Sequence, residues 1–103
     1  MYPDLKKTSW TPQTVAANQA ATALGSAGAK GDYLARLICT VATPATAQVQ
    51  IKDGSGSAYT ILPNSPGGGI GTYTIEIGAC SQIGAWQVVT GAGVTVLAVG
   101  MFT

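Results

Sequence analysis

The sequence predicts an all-β chain: a small antiparallel β-sandwich, jelly-roll-like, with an extended N-terminal arm. Three observations point there. Beyond Asp32 the apolar residues recur with period two, the spacing of half-buried strands. Clusters of Gly, Pro, Asn and Ser interrupt these runs at roughly ten-residue intervals, as turns do. No helical periodicity lies between the runs, which argues against an α/β layout. At 103 residues the chain is one domain, because a second would leave neither half enough core.

The organisation is expected to change near Gly31. Residues 1–30 form the arm. The segment Val15 to Leu24 is alanine-rich enough to be weakly helical, although it is short for an isolated helix. Leu5, Trp10, Val15 and Leu24 are its only large aliphatic or indole side chains. They are too few for a core, so the arm is expected to lie on something else.

Residues 31–103 form the predicted sandwich. YLARLICTVA (33–42) is a strand with large apolar residues on both faces, ended by Thr43-Pro44-Ala45. AQVQIK (47–52) points Val49 and Ile51 to one side and Gln48, Gln50 and Lys52 to the other. Asp53-Gly54-Ser55-Gly56-Ser57 supplies a turn, and AYTIL (58–62) returns with Tyr59 and Ile61 inward. The glycine-rich loop PNSPGGGIG precedes TYTIEIG (72–78), where Tyr73, Ile75 and Ile77 face inward. IGAWQVVT (83–90) and VTVLAVGMF (94–102) complete the set around Gly91-Ala92-Gly93. In the last strand Val94, Val96, Ala98 and Phe102 share one face, and Leu97, Val99 and Met101 share the other. A strand apolar on both sides is either central and covered twice or part of a subunit interface.

Charge is scarce. Only nine of the 103 residues are ionic (five Lys or Arg, four Asp or Glu), none is histidine, and none follows Glu76. A typical soluble domain is about a quarter charged, so much of this surface is expected to lie against other protein. A body of about 70 residues rarely stabilises itself by more than about 3–5 kcal/mol, and association is the remaining route. The expected form is a homo-oligomer, joined through Leu97, Val99 and Met101. A net charge of +1 argues against nucleic acid as partner. No apolar run approaches the roughly 20 residues of a membrane span. MYPDLKKTSW lacks the apolar stretch of a secretory signal, so the chain is expected to stay in the cytosol or leave within a particle.

The chemistry on offer is narrow. Without histidine, catalysis would fall to Asp4, Asp32, Asp53 and Glu76, and nothing in their spacing makes two converge, so no enzyme is expected. Cys39 and Cys80 are expected to be buried free thiols, although a bridge stays open. No metal or cofactor is expected. There is no CxxC, the Gly67–Gly71 run lacks a P-loop lysine, and DGSGS lacks calcium ligands. Trp86 and Tyr73 could stack a sugar, but a tryptophan among valines more often belongs to the core.

From Gly31 to Phe102 the chain resembles small structural proteins of tailed-bacteriophage virions, of the head decoration or cement type. The residues carrying the resemblance are GDYLARLICTVA, VQIKDGSGSAYTILPNSPGGGIGTYTIEIG and GAWQVVTGAGVTVLAVGMF. It implies a non-enzymatic β-fold, often trimeric, seated on the outer capsid lattice and held by extended arms. The partner would be the major capsid protein or another virion protein, in a particle assembled in the host cytoplasm. On that reading Tyr2 and Trp10 anchor the arm, and Lys6 and Lys7 meet acidic capsid surface. The alternative is a receptor- or glycan-binding module of a spike, fibre base or tail, using Trp86, Tyr73 or the glycine loop.

Overall fold

The computed structural model describes residues 10–103. Eight strands follow one another: β1 (Thr11–Val15), β2 (Thr22–Ala23), β3 (Tyr33–Val41), β4 (Val49–Asp53), β5 (Tyr59–Leu62), β6 (Gly71–Cys80), β7 (Trp86–Thr90) and β8 (Val94–Met101). They form two antiparallel four-stranded sheets, ordered β1-β8-β3-β6 and β2-β7-β4-β5. The pairs β1·β8, β2·β7, β3·β6 and β4·β5 are those of one long hairpin, β1–β4 against β5–β8. Rolling that hairpin up adds the pairs β8·β3 and β7·β4. The result is a jelly-roll sandwich, in which the two sheets share one core. A single 3-10 turn at Pro44–Thr46 interrupts the strands, and no α-helix occurs among the described residues.

Alternation decides which side chains enter that core. Leu37, Cys39 and Val41 of β3 meet Ala98, Val96 and Val94 of β8 on the inner face of the first sheet. Val49, Ile51, Trp86 and Val88 line the facing side of the second. Tyr73, Ile75 and Ile77 of β6 pack on the cluster from its edge, as their alternation predicts. In β5 the expected inward pair holds in part: Ile61 packs on the core, partly buried, but Tyr59 does not. A register shift between Val49 and Gln50 sets Leu62 opposite Val49, so Leu62 is buried, while Tyr59 stands 64% exposed at the rim.

The arm boundary at residue 30 is corrected by the pairing. From Thr11 onward the segment belongs to the sandwich: β1 pairs with β8 over five residues, and β2 pairs with β7. Val15 and Leu24 are completely buried. These two side chains cannot make a core alone, but they complete one made by others. The stretch expected to be weakly helical instead crosses between the sheets as a loop and a two-residue strand. Side chains fasten that crossing. Thr90 donates its hydroxyl to Ala16 O at 2.6 Å and accepts from the Gln19 amide at 3.0 Å. Gln13 donates to Ala23 O and accepts from the Gly25 amide.

The cysteines are also corrected in part. Cys39 points into the core and Cys80 is exposed; both thiols are free. Cys39 pairs with Tyr73 on the inner face of β3·β6, and Cys80 pairs with Tyr33 on the outer face, so no bridge joins them.

Candidate functional site

The two outer faces of the sandwich differ in chemistry. On the second sheet, cross-strand rows run Thr60–Gln50–Val89 and Lys52–Gln87–Ala23. The Gln50 amide donates to the Thr60 hydroxyl at 3.0 Å. That face is mostly amide, hydroxyl and ammonium, as a water-facing sheet should be.

The outer face of the first sheet is mixed, with its apolar residues gathered toward the Tyr33–Met101 end and threonines at the other. Its rows run Cys80–Tyr33–Met101, Glu76–Arg36–Val99–Pro12, Thr74–Ile38–Leu97–Thr14 and Thr72–Thr40–Thr95. Leu97, Val99 and Ile38 are half-buried by their neighbours, while Met101 is 41% exposed. The sequence reading therefore places Leu97, Val99 and Met101 on one face correctly. β8 is central in its sheet, yet among the described residues nothing covers its outer side.

Trp10 joins the same face from the other end of the chain. It leads into β1, lies 5.7 Å from the Tyr33 ring, and carries the Arg36 guanidinium 5.3 Å from its centroid. Arg36 in turn donates to Glu76 at 2.9 Å. Because β1 returns antiparallel to β8, the arm anchor and the interface strand expected separately become neighbours. Tyr2, Lys6 and Lys7 lie outside the described residues.

Tyr33 is the contributor that alternation misses, while Arg36 and Ile38 share a face with Thr40 by alternation alone. Tyr33 and Arg36 are three apart in sequence and should face opposite ways. A bulge between Leu34 and Arg36 turns Leu34 and Ala35 both inward and returns Tyr33 and Arg36 to the outer face. On the neighbouring strand Gly78, at φ 64, absorbs the matching irregularity. No residue type in the sequence announces that bulge.

The described carboxylates are each engaged separately. Asp32 is buried and accepts hydrogen bonds from the Ala29 amide and from the amide and hydroxyl of Thr103. Asp53 accepts the amides of Gln82, Ile83 and Gly84 at 2.8, 3.0 and 3.3 Å. Burial opposes the Asp53 charge, but these three bonds outweigh it and hold the carboxyl below its ordinary range. Glu76 is held by Arg36. The Cys39 thiol is pushed up to about 11 by burial, which leaves it a packing group.

The aromatic platform considered for sugars does not form. Trp86 is buried and donates its indole N–H to Asp32 O at 3.0 Å. Tyr73 packs on the core and ties its hydroxyl to Gly69 O at 2.7 Å, which gives the glycine loop a defined seat. A shallow depression of about 240 Å³ lies among Ala17, Thr40, Ala92 and Thr95, at the threonine end of the first sheet's outer face. It is smaller than the roughly 300–1,000 Å³ of a typical ligand pocket.

What fold and surface define is an eight-stranded jelly roll with one mostly polar outer face and one that carries an apolar patch at one end. No protein-family model, curated protein or solved structure matches this chain.

Proposed function

We propose that this chain is a non-enzymatic structural protein that decorates a virus capsid, seated through the outer face of β1-β8-β3-β6. The observation that carries the reading is the contrast between the two outer faces. One presents Trp10, Pro12, Ile38, Leu97, Val99 and Met101 as a patch beside its threonines, while the other is mostly polar. Contiguous exposed apolar surface marks an interaction site. Aromatic and Arg side chains are the groups that dominate interface energetics, and Trp10, Tyr33 and Arg36 cluster at one end of the face. Repetition over a lattice lets many weak contacts hold the shell together by avidity. The resemblance to phage cement proteins names the partner class, a capsid shell protein.

The test is quantitative mass spectrometry of purified virus particles from cells producing this chain. The chain should appear in fixed ratio to the major shell protein. Val99→Lys should remain folded and leave the particles. Particles free of the wild-type chain would refute the reading.

A glycan- or receptor-binding role at a tail or spike is favoured by one observation. The Trp10 ring is 44% exposed beside Tyr33 and the Arg36–Glu76 pair, and so offers a stacking surface next to polar groups. A glycan array separates the two: specific binding lost in Trp10→Ala supports this second role.

A further inference from the structure

The sandwich has four sheet edges: β1 and β6 in the first sheet, β2 and β5 in the second. Three of them are blunted. β1 has five residues and includes Pro12, which has no N–H to donate. β2 has two residues, and β5 has four and runs into Pro63. β6 differs. It has ten residues, no proline and no lysine, and Glu76 is its one charge. Among the described residues, none of Thr72 to Ala79 makes a backbone hydrogen bond outside the β3 ladder. Its far side therefore offers a row of unpaired N–H and C=O groups, the template that natural edges usually protect with Pro, Lys or short length. Tyr73, Ile75 and Ile77 pack on the core but stay only partly buried, open on that same side.

We propose that two copies of this chain pair antiparallel through β6 about a two-fold axis, joining their first sheets into one eight-stranded sheet. The residues of β6 specify a second copy as the occupant. A two-fold axis perpendicular to the sheet keeps like faces together, so one residue must lie opposite itself. Centring the axis on Ile75 sets Tyr73 opposite Ile77 of the second copy and Thr74 opposite Glu76 of the second copy. Each partly buried apolar side chain then gains an apolar cross-strand neighbour, and the lone carboxylate meets a hydroxyl. Centring on Glu76 would oppose two carboxylates, which is destabilising. On either side of Ile75 stand a polar residue, Thr74 or Glu76, and then an apolar one, Tyr73 or Ile77, with positive-φ glycines beyond at Gly71 and Gly78. A chain with so little charge has little else to keep such edges apart. The pairing stands whether or not the protein decorates a capsid.

Sedimentation equilibrium of the full chain tests it, with Thr74→Glu and Thr74→Lys as matched variants at an exposed position. Wild type should form a concentration-dependent dimer. Thr74→Glu creates two like-charge pairs with Glu76 and should raise the dissociation constant roughly tenfold. Thr74→Lys creates two opposite-charge pairs and should leave it equal or lower. Ile75→Cys in a Cys80→Ser background should cross-link the dimer on mild oxidation, because directly opposed residues lie within disulfide reach. A monomer up to millimolar concentration, a trimer, or equal responses to Glu and Lys would overturn the proposal.

Discussion

Replacing Leu24 by alanine tests whether residues 11–30 belong to the sandwich. Leu24 is fully buried, and its amide donates to Trp86 O at 2.8 Å just beyond the short β2·β7 ladder. The backbone there is tethered on both sides, by β2 and by the Gln13 bond to the Gly25 amide. The site therefore has little freedom to collapse around a smaller side chain. Truncating a buried leucine costs about 2–5 kcal/mol, the sum of lost transfer energy and the cavity left behind. Taking about 3 kcal/mol, the thermal midpoint should fall by about 12–24 °C for a domain of this size. That loss is a large share of the roughly 5–15 kcal/mol that holds a small domain together. Urea and thermal unfolding followed by circular dichroism measure it, with the exposed neighbour change Ala23→Ser as control. A Leu24→Ala loss indistinguishable from the control would mean that the segment packs loosely, as a free arm would, and would refute its place in the sandwich.

Three further outcomes follow from individual contacts. Asp53 titrates below its ordinary value of 3.8, so its stabilisation is complete at neutral pH and is lost as the pH falls past that value and through the lower folded one. The difference in urea midpoint between wild type and Asp53→Asn should therefore shrink below about pH 4, and a pH-independent difference would contradict the role of the loop amides. With Cys39 buried and its thiol pushed up to about 11, a thiol reagent at neutral pH should label one site quickly, Cys80, and the second only on unfolding; two fast sites would show that the core opens readily. Gly100 lies at the β3 bulge, where an added Cβ would run into the Tyr33 carbonyl oxygen and the Phe102 ring. Gly100→Ala should cost about 1–3 kcal/mol, as other overpacked sites do, and an unchanged midpoint would show that the bulge yields.

Much of the fold was legible before any coordinates. The strands from β3 to β8 lie close to the expected runs, because alternation and turn residues are local signals. Leu97, Val99 and Met101 were legible as one face for the same reason: β8 has no irregularity within its length. Tyr33 and Arg36 were not, because a bulge shifts parity without a residue type that announces it. Trp10 stood out by residue type, but its place beside Tyr33 and Arg36 was not legible.

By itself the sequence determined an all-β chain, scarce in charge, with a last strand apolar on both sides. Those properties belong to residues near one another along the chain, where side-chain period and turn chemistry operate. The tertiary structure decided what lies far apart. It paired Thr11 with Gly100 and so drew the expected arm into the sandwich. It buried Val15 and Leu24, two isolated apolar residues that carry no pattern. Among the described residues it also left β6 as the one long open edge, since an edge exists only once every other strand has found its partners.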